Sequence, residues 1–303
     1  MSEIIKNPFN YHGSKNRIMP LIQELQPKDC RFLVDLFGGS GEVCLNLEFD
    51  KILYNEKNKY IYGLIRTIKE ASLEYILQTI DDIIDFWQLS KTNKNAFLEF
   101  RSNFNEIVYK HLNHSNKNMR WEANLYLLTL CFYSFNNQII FTKEGKFSVP
   151  AGTHKSSFNN SLRQKLIKYK KRIDELGDKL ILWDYDFTTT FFALETDFKY
   201  KPSETLLFID PPYLLSSSTY DRTYGMKWGT KQEELLYTIL KDWDKNGGKF
   251  MVTNLLKSKG NTNDLLLTFS KKYDTINTNT YFNNCSYQRK NKKEDLEIIV
   301  KNY

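Results

Sequence analysis

With 303 residues, 41% of them hydrophobic and 15% aromatic, the chain has the size and composition of a globular protein and not of a disordered one. It contains no apolar run long enough to span a bilayer and no apolar leader, so we expect a cytoplasmic protein without a membrane partner. The four cysteines and four histidines are scattered, which predicts no metal site, and the net charge of +7 is modest for this length.

The first part of the chain predicts a strand, a glycine turn, a helix and a second strand. Residues 32–37, FLVDLF, are typical of a buried strand, which ends at a turn containing Gly38, Gly39 and Gly41. The next strand, KILYNE, ends at Glu56, whose carboxylate could accept hydrogen bonds from the hydroxyls of a ribose. The turn lacks the dinucleotide fingerprint and a phosphate loop, which favours a nucleoside ligand over a phosphorylated one such as NAD.

The middle of the chain, from about residue 60 to residue 166, is predicted to be mostly helical. Its apolar residues recur at helical spacing, and near its end IIFTKEGKFSVP predicts a β-hairpin around a Lys-Glu-Gly turn. Strand patterns resume afterwards, at KLILWDYDF, TLLFI, GGKFMVTN and LEIIVKNY. We therefore predict an α/β sheet domain, residues 1–59 and 167–303, interrupted by a smaller domain of residues 60–166.

Positive charge is concentrated between Lys143 and Arg172. This stretch contains nine basic residues and a single acidic one, Glu144. A solvent-exposed helix face explains most runs of this kind, whereas the interleaved aromatic and asparagine side chains favour a surface that binds a polyanion. From this stretch alone, the two interpretations are equally open.

The most specific motif is Asp210-Pro211-Pro212-Tyr213, which directly follows the apolar strand TLLFI. A carboxylate and a rigid proline carbonyl can accept hydrogen bonds from the two protons of an exocyclic amine on a nucleobase, which prepares that amine for attack on a methyl group. The Tyr213 ring offers a flat face to a base that has left the duplex. The alternative is a proline-terminated strand with an incidental aspartate.

This motif and the upstream Phe-x-Gly-x-Gly turn resemble those of S-adenosylmethionine-dependent DNA amino-methyltransferases. The order of the motifs, with the glycine turn first, an inserted domain next and Asp-Pro-Pro-Tyr last, looks like the Dam-type N6-adenine group. The resemblance implies a Rossmann-like sheet flanked by helices, with an inserted, mostly helical DNA-recognition domain that contains a β-hairpin. It also implies that a flipped adenine in double-stranded DNA is methylated from S-adenosylmethionine, with catalytic residues Asp210, Pro211, Pro212 and Tyr213 and no metal.

Further segments match this family over nearly the whole chain. NYHGSKNRIMPLI is similar to its N-terminal Gly-x-Lys element, and YDF places an aromatic residue where the family stacks one on the cofactor adenine. The resemblance implies a cofactor pocket formed by Tyr11, Lys15, Asp35, Phe37, Gly38, Gly39, Gly41, Glu56, Phe187 and Asp210.

The inserted block resembles the DNA-recognition domain of the family. LSKTNKNAFLEFRSNFN contains its aromatic-x-x-x-Arg-x-x-Phe-Asn helix, and the predicted hairpin looks like its recognition hairpin. In this architecture the hairpin and the basic segment face DNA, so phosphate contacts become the favoured interpretation of the positive charge. The residues expected at DNA are Arg101, Asn105, Asn137, Ile140, Lys143, Lys146, Pro150, Lys155, Arg163 and Tyr220.

Two positions depart from the family pattern. Glu56 stands where the family usually has aspartate, and its longer side chain can serve the same purpose. Ile140 stands where GATC-specific relatives carry an arginine, and isoleucine cannot make the bidentate contact with guanine, which puts a GATC target in doubt.

Three alternatives and one partner accompany this interpretation. The same amine chemistry could act on RNA adenine or on cytosine N4, although cytosine enzymes more often have serine before the prolines. A catalytically silent DNA-binding module would keep the fold without the reaction, and a NAD-dependent enzyme would need different glycines. A restriction endonuclease, a phage or a regulatory circuit could each be the biological context; in the first case the partner is a cognate endonuclease that acts on the same DNA site, with no direct contact implied.

Overall fold

The computed structural model describes residues 3–11, 13–152, 156–196, 200–216, 228–278 and 295–303. Within these residues the chain forms an eight-stranded sheet flanked by helices. The strands are β1 Phe32–Asp35, β2 Lys51–Asn55, β3 Leu180–Trp183, β4 Thr205–Ile209, β5 Lys249–Ser258, β6 Asn261–Thr262, β7 Asp274–Asn277 and β8 Leu296–Lys301. The helices are α1 Met19–Glu24, α2 Glu42–Asn46, α3 Lys59–Glu70, α4 Leu73–Phe86, α5 Lys94–Glu106, α6 Lys117–Tyr133, α7 Asn160–Leu176, α8 Phe187–Thr196, α9 Thr230–Lys245 and α10 Asp264–Ser270.

The order of the strands brings two distant parts of the sequence together. Across the sheet the order is β3-β2-β1-β4-β5-β8-β7, with the short β6 paired to β5. The first five strands are parallel, and β8 lies antiparallel between β5 and β7. The order reverses between β1 and β4, whose residues Asp35 and Phe208 are in register. Open α/β sheets bind ligands at such a reversal, outside the carboxyl ends of the strands.

Both faces of the sheet are covered, which explains the nearly continuous apolar strands. Leu33 and Ile52 belong to a buried cluster that also contains residues of α1 and of α3 to α7. Their neighbours Val34 and Leu53 point the other way, into a second cluster with residues of α8, α9 and α10. This alternation follows from the two-residue period of a strand. The predicted α/β sheet flanked by helices is confirmed.

The middle of the described chain is helical, as predicted, from α3 to α6. Side-chain oxygens at the first residue before each helix stabilise these helices by accepting backbone N–H bonds, as Asn58 does for α3 and Asn116 for α6. The two-domain division stays a prediction, and its boundary at residue 166 falls inside the continuous helix α7. No helix in the described ranges is both long and apolar enough to cross a membrane.

The predicted hairpin is present as a tight turn instead of a pair of long strands. The Thr142 amide donates to the Lys146 carbonyl at 2.8 Å, and the Ser148 amide donates to the Ile140 carbonyl at 2.9 Å. Gly145 has a φ of +82°, a conformation that glycine adopts without steric cost. We call residues 140–148 the reading hairpin.

Candidate active site

The glycine turn follows β1 and lies at the reversal of the sheet. The Leu36 amide donates to the Phe208 carbonyl of β4 at 3.0 Å, and the Gly38 amide donates to the Asn55 carbonyl of β2 at 2.8 Å. The turn therefore takes its position from both neighbouring strands. A Cβ atom at Gly38 would lie 2.3 Å from the ring of Tyr54, so only glycine fits there.

Buried side chains from the sheet and from α7 hold the turn. The Tyr54 hydroxyl donates to the Gly39 carbonyl at 2.7 Å, and the Tyr169 hydroxyl, from α7, donates to the Ser40 carbonyl at 2.7 Å. The Glu56 carboxylate accepts the Gly39 amide at 2.8 Å. Burial raises the pKa of Glu56 to about 7, although its backbone N–H donors act in the opposite direction. Glu56 thus reaches the turn, and its expected contact with a ribose stays a prediction.

A pocket opens between the glycine turn, the N-terminal segment and the end of β4. It is lined by Tyr11, Gly13, Lys15, Asp35, Phe37, Gly38, Gly39, Ser40, Glu42, Val43, Phe208 and Asp210. Seven of the ten residues expected at the cofactor are in this lining. The other three are next to this lining. Glu56 accepts a hydrogen bond from the glycine turn, Gly41 is close to the Tyr169 hydroxyl, and the Phe187 ring is next to that of Phe37.

Asp35 places in this pocket a carboxyl oxygen that has no hydrogen-bond partner in the described part of the chain. Its side chain is buried at the end of β1, and its Oδ2 atom has no hydrogen-bond donor among the described residues. Burial, together with the negative charge of Asp210, raises the pKa of Asp35 to about 8. A buried carboxylate oxygen without a donor is costly, and a cationic ligand would relieve that cost. The pocket therefore fits a positively charged cofactor.

Asp210 has both carboxylate oxygens engaged. The Lys15 ammonium lies 2.7 Å from Oδ2, and the Thr253 hydroxyl, from β5, donates to Oδ1 at 2.8 Å. Lys15 also donates to the Gly13 carbonyl at 2.7 Å. These contacts fix the plane of the Asp210 carboxylate at the mouth of the pocket. It can still accept a further hydrogen bond, because an ionised carboxylate has about four acceptor positions.

The charges of this pair depend on burial and on the neighbouring groups. Burial raises the pKa of Asp210, and the Lys15 ammonium offsets only part of that effect. Burial alone would lower the pKa of Lys15, but the carboxylates of Asp210 and Glu297 outweigh it and hold that pKa above its ordinary value. Lys15 is therefore a permanent cation at this site.

Tyr213 is buried three residues after Asp210. Its hydroxyl donates to Glu297 Oε1, from β8, at 2.6 Å. The Lys15 ammonium lies 5.4 Å from the centre of its ring. Pro211 is buried and Pro212 is half-buried between them. The structure thus brings Lys15, Asp210 and Tyr213, which are predicted from separate motifs, into one cluster.

Glu42, at the start of α2, ties the N-terminal segment to the glycine turn. Its carboxylate accepts hydrogen bonds from the Lys15 amide at 2.8 Å, from Ser14 Oγ at 2.9 Å and from Asn16 Nδ2 at 2.6 Å. Because α2 directly follows the turn, these bonds hold Lys15 in contact with Asp210.

Three aromatic rings pack beside the pocket. The ring centres of Phe37 and Phe187 are 5.9 Å apart, and that of Trp228 lies 5.5 Å from Phe37 and 5.6 Å from Phe187. Phe187, the first residue of α8, is thus near the expected adenine position but contacts other protein rings there. Its role at the cofactor stays a prediction.

Arg101 and Asn105 hold the reading hairpin from α5. Asn105 Nδ2 donates to the Phe147 carbonyl at 3.0 Å, and its Oδ1 accepts the Phe147 amide at 2.7 Å. An Arg101 Nη atom donates to the Val149 carbonyl at 3.1 Å. The Tyr60 ring stacks on Phe141 with centres 3.7 Å apart. The predicted DNA contacts of Arg101 and Asn105 remain untested, and their observed contacts position the hairpin.

The surface of the hairpin carries exposed side chains of the expected kinds. Lys143, Lys146 and Pro150 are exposed, and Ile140 is half-buried against the core. The Asn137 carbonyl accepts the Asn10 amide at 2.9 Å, which connects this region to the N-terminal segment next to Tyr11.

Part of the basic stretch forms ion pairs within the protein. Four of its nine basic residues lie in α7 and form ion pairs: Arg163 with Asp81, Lys168 with Glu3, Lys170 with Asp174, and Arg172 with Glu48. Arg163 also lies 4.6 Å above the Phe158 ring, which disfavours its predicted phosphate contact. Lys143 and Lys146 remain the best placed for that role. Lys155 and Tyr220 lie outside the described residues.

Sequence reasoning missed several residues at this site: Glu42, Tyr54, Tyr169, Trp228, Thr253 and Glu297. A signal existed for Glu297, since it is the one acidic residue within the apolar strand LEIIV. Tyr54 and Tyr169 carried none, because a buried tyrosine in a strand or helix is indistinguishable from ordinary core until its hydroxyl partner is known.

The known proteins to which this chain is similar include proteins named methyltransferase or methylase. The type II methyltransferase M.FokI of Planomicrobium okeanokoites is 30% identical over 301 residues, which are 99% of this chain and 43% of that protein. The modification methylase StsI of Streptococcus sanguinis is 30% identical over 303 residues, with 99% and 43% covered. A DNA adenine methylase of Vibrio cholerae is 26% identical over 216 residues, with 71% and 68% covered.

The chain thus spans less than half the length of the first two relatives. The family model of the D12 class N6 adenine-specific DNA methyltransferases matches residues 11–295, a range that includes the glycine turn, the reading hairpin and Asp210. The chain belongs to the D12 class N6 adenine-specific DNA methyltransferase family.

Proposed function

We propose that this protein transfers a methyl group from S-adenosylmethionine to the exocyclic amine of a flipped adenine in duplex DNA. The observation that carries the proposal is the position of Asp210, whose fixed carboxylate lines the same pocket as Asp35, an acid whose Oδ2 has no hydrogen-bond partner among the described residues. Membership of the D12 class family and the names of the relatives support DNA adenine as the substrate.

The pocket residues match the chemical groups of this cofactor. When bound, S-adenosylmethionine supplies an electrophilic methyl group on a sulfonium centre. We propose that Asp35 accepts a cationic group of the cofactor and that Tyr11, Phe37 and the glycine turn surround it. Glu56 and Phe187 are the proposed contacts for its ribose and adenine.

The residues at the end of β4 hold the target base. Asp210 and the Pro211 carbonyl accept hydrogen bonds from the two amine protons, which orients the nitrogen lone pair for in-line attack. The Tyr213 ring stacks on the extruded base, and its hydroxyl is fixed at the far side by Glu297. The Lys15 ammonium beside Asp210 favours the ionised carboxylate, which is the form that accepts hydrogen bonds without donating one.

DNA is approached from the reading hairpin. Lys143 and Lys146 are exposed at its turn and are the proposed phosphate contacts. The half-buried Ile140 can make apolar contact with a base but no bidentate contact with guanine, so we propose a target other than GATC. We also propose that the protein acts in the cytoplasm and, like relatives named modification methylases, modifies a site that a cognate restriction endonuclease cleaves.

The test is transfer of an isotopically labelled methyl group from the cofactor to duplex DNA isolated from cells without adenine methylation. Digestion to nucleosides and mass spectrometry should show labelled N6-methyladenine. Labelled N4-methylcytosine, or label only in structured RNA offered in a parallel reaction, would support the competing amine substrates. Protein that binds the cofactor and labels neither nucleic acid would refute the proposal and favour a silent binding module.

A further inference from the structure

Glu297 is a buried acid in an otherwise apolar strand. It is the second residue of β8, its side chain is 7% exposed, and Ile298, Ile299 and Val300 after it are buried in the core. Burying a carboxylate is costly unless charged or hydrogen-bonding groups compensate it. Its compensation comes from two residues of the candidate active site and not from neighbours in the sheet alone.

The first of these partners is Tyr213, whose hydroxyl donates to Glu297 Oε1 at 2.6 Å. The same Oε1 lies 3.9 Å from the Lys15 ammonium, which is itself 2.7 Å from Asp210. A chain of contacts therefore runs from β8 through Lys15 to the end of β4. Both ends of this chain belong to the Asp-Pro-Pro-Tyr motif, Asp210 at one end and the Tyr213 hydroxyl at the other.

These contacts fix the orientation of the Tyr213 ring. A hydrogen bond at the far end of a tyrosine fixes the position of that end and so restricts χ1. Because the phenolic O–H prefers to lie in the ring plane, the position of its acceptor also favours one orientation of the ring about χ2. The backbone holds one end of Tyr213, and Glu297 holds the other. Lys15, at 5.4 Å from the ring centre, contacts Asp210 directly and lies 3.9 Å from Glu297, so both carboxylates attract its ammonium.

We propose that Glu297 is a positioning residue for the methylation reaction, which sets the tilt of the Tyr213 ring and the location of the Lys15 ammonium beside Asp210. The inference rests on the proposed function, because a ring that stacks the target base must be held at a fixed angle to the carboxylate. Small displacements of such groups cost up to about 100-fold in rate. Glu297 itself touches neither base nor cofactor.

The experiment compares Glu297→Leu, which removes the acceptor, with Tyr213→Phe, which removes the donor, and with the double variant. Each is assayed for single-turnover transfer of labelled methyl groups to DNA and for cofactor affinity by calorimetry. We expect each single variant to lose about 30-fold in transfer rate, with the cofactor dissociation constant within about threefold of wild type. Because both changes break the same contact, the double variant should lose about 30- to 100-fold, far less than the product of the two losses.

Losses that multiply in the double variant would overturn the proposal, as would a Glu297→Leu variant that transfers within about twofold of wild type. Tyr237→Phe is the matched control. Its hydroxyl donates to the buried Glu233 at 2.8 Å, and its ring stacks on Phe269 of α10, on the opposite side of the sheet from Glu42. We expect this control to transfer within about twofold of wild type.

Folding is checked in the same preparations. If Glu297→Leu is too unstable to assay, Tyr213→Phe alone decides, since it keeps the carboxylate and removes only the hydroxyl; undiminished transfer by that variant would refute the proposal. The proposed function fails separately, when the wild-type protein labels no DNA. If the wild-type protein labels RNA instead, the transfer rate of each variant relative to wild type is measured on RNA, and the same relative losses are expected.

Discussion

The end of the sheet and the reading hairpin are built in opposite ways. At the ends of β1 and β4, buried side chains from five elements converge on a few backbone atoms and two carboxylates, as Tyr54, Glu42 and Thr253 illustrate. The reading hairpin is exposed on one side and is held from the other mainly by backbone bonds to Asn105 and Arg101.

This difference matches the two proposed tasks, with methyl transfer at the end of the sheet and DNA recognition at the reading hairpin. Orienting an amine requires a rigid site, and core strands supply it. Contacting DNA, the role proposed for the hairpin, requires side chains that reach solvent, and Lys143 and Lys146 are exposed there. Changes at the end of the sheet should therefore alter transfer rate, stability and pH dependence, whereas changes at the hairpin should alter DNA affinity and its salt dependence.

Asp210→Asn should have the largest effect. The amide keeps the size of the side chain but replaces one acceptor with a donor, so transfer should fall by about 1,000-fold. Cofactor affinity, measured by calorimetry, should stay within a few fold of wild type. A variant that transfers at near wild-type rate would remove Asp210 from the mechanism.

Gly38→Ala should destabilise the protein and abolish cofactor binding. The added methyl group would lie 2.3 Å from Tyr54, and overpacking of this kind costs about 3 kcal/mol. Gly247→Ala is the control, because its φ of +78° strains an alanine although nothing lies within 4 Å of the new atom. It should cost about 1 kcal/mol in urea unfolding and leave cofactor binding intact. Equal costs for the two variants would show that contact with Tyr54 is unimportant.

Stability should fall as pH rises, because of Asp35. Its pKa is about 8 in the folded protein against an ordinary value of 3.8, so between these pH values the folded state binds more protons than the unfolded state. The free energy of unfolding should thus decrease from about pH 4 to pH 8, by at most about 1.4 kcal/mol per pH unit from this group. Asp35→Asn should flatten the dependence in urea titrations and be the more stable protein at pH 8. A variant less stable than wild type at pH 8 would contradict this explanation.

Asn105→Ala should weaken DNA binding without affecting the cofactor. It removes both bonds to Phe147 and frees the reading hairpin, for which we expect about a 10-fold loss in affinity by fluorescence anisotropy. Ser102→Ala, at an exposed position of the same helix, is the control. Unchanged DNA affinity in Asn105→Ala would show that the hairpin needs no support from α5.

Lys143→Ala and Lys146→Ala should have the smallest effects. Each should reduce the slope of log affinity against log salt by about 1, uniformly over DNA sequences. Arg163→Ala should leave the slope unchanged and lower stability instead, since this arginine pairs with Asp81. If Arg163→Ala alters the salt slope as much as Lys143→Ala does, its ion pair opens on DNA.

The sequence predicts the residues proposed for the chemistry better than it predicts the residues that hold them in place. The glycine turn and Asp210 follow strands directly, and parallel strands bring such residues to one edge, so their proximity follows from local patterns. The link from Lys15 to Asp210 depends on a segment 195 positions earlier in the chain, held by Glu42, and no local pattern encodes it. The pairing of Arg163 with Asp81 and of Arg172 with Glu48 is hidden for the same reason, and the predicted DNA contacts of the basic stretch stay a prediction.

The most direct test is methylation mapping of genomic DNA from cells that express the protein and otherwise lack adenine methylation. We predict N6-methyladenine at one defined sequence other than GATC, and none in cells that express Asp210→Asn at the same level. Equal methylation with both proteins, or no N6-methyladenine with the wild-type protein, would contradict the assignment of Asp210 as the group that orients the adenine amine.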